Sequence, residues 1–399
     1  MKILVLNCGS SSIKYKLYDT TQNQTLASGG VEKIGLEGSF LKHKQSNGKK
    51  TEQTQPIPTH TEGIAAVLAT LTDTSIGCLH NLNEIDAVGH RVVHGGEQFK
   101  ESMLLTADVL DGIKAMSDLA PLHNPANQKG IEAISQQLPT VPQVAVFDTA
   151  FHQTMPPHAY LYALPYRYYE QYGLRRYGFH GTSHRYVAQR AYDFLKLDPS
   201  HSRIITAHIG NGASIAAIEN SRCIDTSMGL TPTEGLMMGT RCGDVDPGAL
   251  LYLMEKEQLD AKKLSNLVNR QSGVLGISEL SSDMRTIREA LADGNARASL
   301  TMDMYNYRIT KQIGAYTAAM NGVDAIIFTG GVGENQVQTR TYVANHLTYL
   351  GAEYDKEKIA ICGEEIVFST SSSHIKMAVI PTDEEWMIAL DTERLTAKD

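Results

Sequence analysis

Twice in this chain, roughly 200 residues apart, a short apolar strand runs into a glycine turn and leaves it as a second strand. The first unit opens the sequence. Ile3 to Leu6 is an uninterrupted apolar run, short enough for a strand covered on both faces. Asn7, Cys8, Gly9, Ser10, Ser11 and Ser12 follow, and then Ile13, Tyr15 and Leu17 alternate with Lys14, Lys16 and Tyr18, the two-residue period of a strand and not of a helix. The second unit has Ile204 to Ala207, then His208-Ile209-Gly210-Asn211-Gly212-Ala213-Ser214, then Ile215 to Ile218. Aligning Asn7-x-Gly9 through Ser12-Ile13 with His208-x-Gly210 through Ser214-Ile215 adds one residue to the second unit, and the match points to an internal duplication. The first turn offers free backbone N–H groups and hydroxyls, the chemistry that wraps phosphate. A serine-rich hairpin tip with no ligand fits the same letters. The chain has neither the GxxxxGK[ST] string of a P-loop nor a GxGxxG fingerprint.

At 399 residues, two or three domains are expected, and 42% hydrophobic with 20% charged residues is enough apolar material for sizeable cores. Lys and Arg number 36 against 44 Asp and Glu, a formal charge of −8 that argues against nucleic acid or an anionic membrane as main partner. An anionic substrate therefore needs a local cluster of basic residues. The five cysteines (Cys8, Cys78, Cys223, Cys242, Cys362) are scattered and form no CxxC pair, which fits reduced thiols. The apolar run before Asn7 is too short for a signal peptide and no run reaches membrane-spanning length, so a cytoplasmic location is expected.

Several residues between these units suggest chemistry. Ile85 to Val93 reads as a strand carrying Arg91, which needs an anionic ligand or an internal ion pair to sit there. Asp148 follows the strand Val144–Phe147, at the edge where open α/β sheets bind ligands, although an Asx turn also accounts for it. A composition shift near residue 150 marks a domain boundary, and tyrosines interleaved with Arg167, Arg175, Arg176 and Arg185 then suggest a packed interface or substrate rim. His180 and His184 are four apart, a zinc-compatible spacing on a helix, with no HExxH and no obvious third ligand. Strand residues Asp324 to Phe328 lead into a glycine loop, Thr329 to Asn335, that lets the backbone approach a flat ligand. Thr382 with Glu385 reads as a capping box, placing Glu384 in a first helical turn as a magnesium ligand or a simple helix-dipole carboxylate.

Taken together, the strings VLNCGSSSIK (5–14), HRVVHGGE (90–97), LHNPAN (122–127), FDTAFH (147–152), RRYGFHGTSH (175–184), HIGNGAS (208–214), DTSMGLTPTEGLMMGTRCGD (225–244), SSDMR (281–285), FTGGVGEN (328–335) and TDEE (382–385) resemble the acetate kinases of the acetate and sugar kinase/Hsp70/actin superfamily. The resemblance implies an α/β fold of two ribonuclease-H-like domains with mixed sheets flanked by helices, residues 1–150 plus 385–399 and residues 151–384, with the active site in the cleft between them. It also implies reversible phosphoryl transfer from ATP to acetate, giving ADP and acetyl phosphate, with Mg2+ (or Mn2+) as cofactor, a cytoplasmic homodimer, and no nucleic-acid or membrane partner. Phosphoryl transfer asks a protein for positioning and charge neutralisation, so arginines, a metal and glycine-rich turns suit it.

Carried over by position, the resemblance gives Asn7 and Glu384 to the metal. Lys14, Ser10 and Ser12 go to phosphate, and Arg91 and Arg241 to the acceptor carboxylate and the moving phosphoryl group. His180 stabilises the same transition state. Asp148 either orients these groups or serves as proton donor and acceptor; a carboxylate nucleophile is already ionised at neutral pH. The nucleotide is assigned to His208, Ile209, Gly210, Asn211 and Gly212, to Asp283, Met284 and Arg285, and to Gly331, Val332, Gly333, Glu334 and Asn335. Val93, Leu122, Phe179 and Pro232 receive the methyl group. Ser221 and Glu279 stand where the family usually has glycine. Two rivals remain, a propionate kinase of the same family and an actin- or Hsp70-like ATPase module.

Overall fold

The computed structural model describes residues 1–121 and 123–397; the Leu122 assignment lies outside them. The chain divides into two compact units, Met1–Ala150 with the C-terminal residues from Asp383, and Phe151–Thr382. Asp383 and Glu384, which the sequence reading gives to the second unit, fall with the first.

The first unit is built on an eight-stranded sheet. Its strands are β1 (Lys2–Cys8), β2 (Ser12–Asp19), β3 (Gln24–Glu32), β4 (Phe40–Gln45), β5 (Lys50–Thr54), β6 (Ala87–Val92), β7 (Met103–Leu104) and β8 (Gln143–Phe147), in the order β5-β4-β3-β2-β1-β6-β8-β7. The second unit has a six-stranded sheet of β9 (Arg203–Ile209), β10 (Ala213–Glu219), β11 (Arg222–Thr226), β12 (Ala325–Thr329), β13 (Ile366–Val367) and β14 (Lys376–Val379), in the order β11-β10-β9-β12-β14-β13.

The two sheets share one plan. In each, the opening strand pairs antiparallel with the next and parallel with a later strand, a further parallel strand follows, and a two-residue antiparallel strand closes the edge. With β3 antiparallel to β2 and β11 antiparallel to β10, the duplication read from the two hairpins extends across six strands of each unit. Its alignment needs one change. Cys8 pairs with Ile13 across residues 9–12, whereas Ile209 pairs with Ala213 across residues 210–212, so the second tip is one residue shorter, not longer.

At β1 both faces of the first sheet are buried, which is why that strand reads as an unbroken apolar run. Leu4, Leu6, Ile13, Tyr15 and Leu17 pack with Ile64, Val67 and Leu68 of the helix His60–Leu71 and with Ala133 and Ile134 of the helix Asn124–Gln137. Ile3, Val5, Tyr18, Val144 and Val146 pack on the other side with Ile388 and Ala389 of the last helix, Glu384–Thr396. Each such aliphatic side chain contributes about 1.5–3 kcal/mol by leaving water. A Cβ at Gly89 would collide with Thr392 Oγ1 and Ile388 Cγ2, so the glycine in β6 is what lets the last helix lie on the sheet.

Two local readings change. Residues after β12 form a short helix, Gly330–Asn335, instead of an open glycine loop. The last helix is capped by Asp383, whose carboxylate accepts from Trp386 N at 3.0 Å, and not by a Thr382/Glu385 box. Thr382 Oγ1 instead meets Ser183 Oγ at 2.8 Å, and Glu385 pairs with Lys16 at 3.2 Å.

Candidate active site

In the first unit, the parallel strands β1, β6 and β8 end together and bring Asn7, Arg91 and Asp148 to one edge of the sheet. Both explanations of Arg91 meet here. Its Nε donates to both Asp148 oxygens at 3.1 Å, its Nη2 donates to Oδ2 at 2.6 Å, and its Nη1 reaches Asn7 Oδ1 at 3.4 Å. The Asp148 side chain is 1% exposed and the Arg91 side chain 25%. Burial opposes the guanidinium charge, but Asp148 and then Glu384 more than offset it, and Arg91 is held above its ordinary value. Glu384 adds a second carboxylate. Burial, with Asp148 and Glu385, raises its pKa and Arg91 and Lys14 lower it, leaving it at about 7. This cluster is short of positive charge. Its donors are hard carboxylate and amide oxygens, the set Mg2+ takes alongside substrate phosphates, so the residues fit that ion.

In the second unit, the ends of the parallel strands β9, β12 and β14 carry the matching edge. His180 precedes the helix Gly181–Leu195 in a left-handed conformation, φ 56°. Such backbone conformations in non-glycine residues concentrate at functional sites. Its Nδ1 lies 2.9 Å from Ser214 Oγ, and its ring stacks on His208 with centroids 4.3 Å apart. Arg241 is half-buried and has no carboxylate partner among the described residues. Its Nη1 donates to Pro232 O at 3.2 Å and lies 3.5 Å from Met238 Sδ, and burial lowers its pKa. A Cβ on Gly212 would lie 3.4 Å from Arg241 Nη1 and 3.6 Å from His180 Nε2, so glycine keeps the space between these two side chains open. Among the described residues this desolvated cation meets a carbonyl and a thioether and no carboxylate, surroundings that suit it to receiving an anion.

A cavity of about 710 Å³ in the same unit is lined by Gly210, Asn211, Gly239, Ser282, Asp283, Met284, Arg285, Arg288, Gly331, Val332, Asn335 and Gln336. Its size falls in the range of cofactor sites.

The acetokinase family model matches residues 2–390. The chain belongs to the acetokinase family. The acetate kinase of Phocaeicola vulgatus is 61% identical over 392 residues, 98% of each chain. The crystal structure of Porphyromonas gingivalis acetate kinase superposes with a TM-score of 0.96 at 55% identity, covering 99% of each chain. That of a propionate kinase from Francisella tularensis gives 0.92 at 40% identity, again over 99% of each.

Against the positions carried over from the acetokinase family, the cavity gathers Gly210, Asn211, Asp283, Met284, Arg285, Gly331, Val332 and Asn335. Gly239, Ser282, Arg288 and Gln336 were not assigned, although Gly239 and Ser282 lie inside strings already singled out, Gln336 directly follows one and Arg288 lies about one helical turn beyond another. A Cβ on Gly239 would strike Asn211 Oδ1, so the wall of the cavity needs glycine there, a contact visible only in the fold. Five assigned residues lie outside the cavity lining, Gly212 among them, beside Arg241 and His180. The Ile209 side chain and Gly333 are buried, His208 Nδ1 bonds Ser183 Oγ at 2.8 Å, and Glu334 Oε1 accepts from Gly330 N at 2.8 Å and Thr382 N at 3.3 Å, holding the short helix at its start. In the first unit, Lys14 is exposed. Ser12 O closes the hairpin by accepting from Gly9 N at 2.8 Å, while Ser10 lines a separate 370 Å³ cavity with His60 and Lys129. Val93 and Phe179 are buried and Pro232 is half-buried. His184 bonds hydroxyls through both ring nitrogens. The Tyr/Arg stretch includes a cation–π stack, with Arg175 3.6 Å from the Tyr160 ring centre.

Proposed function

We propose that this chain is an acetate kinase, transferring phosphoryl reversibly between ATP and acetate to give ADP and acetyl phosphate. The observation that carries the reading is Arg241, a partly desolvated guanidinium without a carboxylate partner among the described residues, held next to His180 across Gly212 in a chain of the acetokinase family. Acetate is ionised at neutral pH and needs no general base, so the protein's task is to hold two anions and neutralise charge as it moves. Arg91 and Arg241 take the acceptor carboxylate and the moving phosphoryl group, and His180 donates to the latter. Asp148 acts as the orienter, since both its oxygens accept from Arg91. Asn7 and Glu384 would hold Mg2+, with Mn2+ able to substitute, and the ion would neutralise nucleotide phosphates. The 710 Å³ cavity takes the nucleotide. Val93, Leu122, Phe179 and Pro232 serve the methyl group, and Lys14, Ser10 and Ser12 serve phosphate.

The direct test is incubation with ATP, Mg2+ and acetate in hydroxylamine, following acyl hydroxamate, with propionate, butyrate and no-acid arms. Acetate-dependent product with propionate poorer is expected, since each methylene changes discrimination by about 1–3 kcal/mol. ATP hydrolysis without hydroxamate would refute the reading, and a propionate preference would move it to propionate kinase.

We also propose a cytoplasmic homodimer. The helix Pro247–Lys256 has no buried residue, and Leu251 and Tyr252 are 67% and 60% exposed, a patch suited to a second copy. Leu251→Glu should shift the sedimentation coefficient to that of a monomer; a monomeric wild type would remove the proposal.

A further inference from the structure

The His180 ring is tied into a chain of hydroxyls and imidazoles whose proton positions can be worked out. Thr206 Oγ1 lies 2.7 Å from His184 Nδ1, His184 Nε2 lies 2.8 Å from Ser214 Oγ, and Ser214 Oγ lies 2.9 Å from His180 Nδ1. Thr206, His184 and Ser214 are all fully buried. Burial, with His152 and His208 adding to it, pushes the His184 pKa well down, so this ring is neutral and carries one N–H.

A neutral His184 leaves two directions for the chain. If its proton sits on Nδ1 it donates to Thr206, and the Thr206 hydroxyl hydrogen then has no acceptor, because His184 Nδ1 is the sole side-chain partner of Thr206 Oγ1 among the described residues. A buried donor left without a partner costs about 1–3 kcal/mol. Ser214 would then donate to His184 and accept from His180 Nδ1–H. If the proton sits on Nε2, every hydrogen is used: Thr206 O–H donates to His184 Nδ1, His184 Nε2–H donates to Ser214 Oγ, and Ser214 O–H donates to His180 Nδ1. The second direction wins on the hydroxyl count.

We propose that Thr206, His184 and Ser214 form a directed hydrogen-bond relay that holds the ring proton of His180 on Nε2, the nitrogen turned toward Gly212 and Arg241. His184 and Ser214 are thus positioning residues. The relay deepens the acetate kinase reading and rests on it for the role of His180: an Nε2–H presents a donor to phosphoryl oxygens, whereas the opposite tautomer presents a lone pair to an anion. The stack on His208, with planes 26° apart, keeps the ring from turning out of line.

The relay is read first in the intact wild-type enzyme, by ring-15N histidine NMR at pH 8, with His180 assigned through His180→Ala. A bare Nδ1 and a protonated Nε2 on His180 are expected; a proton on Nδ1, alone or with Nε2, overturns the relay. Kinetics give the second readout. Ser214→Ala should lower kcat about 10–100-fold, the usual cost of removing a group behind a catalytic one, with both KM values within about twofold. His184→Gln keeps an N–H donor where Nε2 was and should recover most of the turnover that His184→Leu loses. Unchanged kcat in Ser214→Ala, or equal loss in His184→Gln and His184→Leu, overturns the relay. Normal turnover in His180→Ala would instead remove the role given to His180 and leave the NMR result standing, so the two failures are told apart.

Discussion

Two arginines with the same proposed task sit in opposite surroundings, and that difference is measurable. Arg91 neutralises an Asp148 side chain that is 1% exposed, so Arg91→Ala strips a buried carboxylate of its partner. Breaking such a pair costs on the order of 3 kcal/mol, somewhat less here because the arginine end is partly solvated. Among the described residues the Arg241 guanidinium bonds Pro232 O and Met238 Sδ, and burial already works against its charge. Removing it relieves a desolvated cation. Both alanine variants should lose about 10³–10⁵ in turnover, the value of an arginine that neutralises phosphoryl transfer. Thermal unfolding should separate them, with Arg91→Ala melting several degrees lower and Arg241→Ala within a degree or two of wild type, because surface-independent loss of one unpaired cation removes no native ion pair. An Arg241→Ala variant that both unfolds early and turns over normally would contradict the receptor role.

At the scale of turns and helices, sequence reading succeeded where period decides and failed where tertiary contacts do. Alternation in Ile13, Tyr15 and Leu17 placed β2, and the apolar run Ile3–Leu6 placed β1. The helix Gly330–Asn335 was missed because three glycines in six residues speak against a helix, and what holds it is a bond from Gly330 N to Glu334 Oε1 together with the buried Arg340, which donates to the carbonyls of Gly333 and Glu334. The cap at Asp383 was missed for the same reason: Thr382 is drawn to Ser183, a partner 199 positions away in sequence. The pairing of Arg91 with Asp148 was open in the sequence for want of the strand order that brings β6 beside β8. The two departures from the family's glycines are sharper than they looked. Ser221 has φ 66° beside Asn220 at 50°, the hairpin turn between β10 and β11, and Glu279 ends a short helix at φ 57°. A side chain in the left-handed region costs about 1–2 kcal/mol, part of which glycine returns as backbone freedom in the unfolded chain. Glu279→Gly gives up only an exposed pair with Arg297, so it should raise stability by about 0.5–1 kcal/mol. Ser221→Gly should gain less, since it loses the bond from Ser221 Oγ to Pro199 O at 2.8 Å. Denaturant midpoints would decide this; a lower midpoint in Glu279→Gly would mean its side chain holds the turn. Activity should stay unchanged in both.

For the whole molecule, buried histidines give both units the same weakness to acid. His90 in β6 and His94 just beyond it lie in the first unit, His152 in the second, and burial pushes each of the three down to about 4. His90 and His152 are further held by Gln143 Oε1 at 2.8 Å and Phe179 O at 2.9 Å, yet those bonds do not offset the burial. In the unfolded chain the same imidazoles titrate near 6.5. Between about 6.5 and 4 the unfolded state therefore binds more protons than the native one, so native stability is full above 6.5 and falls as pH drops through that window. Carboxylates with depressed values, such as Glu84 and Asp198 at about 2, act in the same direction only below the ordinary carboxylate range, while Glu384, raised to about 7, acts in the opposite direction as one group against these three rings. The onset of acid unfolding consequently belongs to histidine. A series of melting temperatures from pH 8 to 4 should stay level to about 6.5 and then decline, and His90→Gln, which keeps a neutral polar group facing Gln143, should decline less steeply than wild type across that range. A wild-type melting temperature that is flat down to pH 4.5 would show that these rings gain a proton without unfolding the chain, and would place the acid limit on the carboxylates instead.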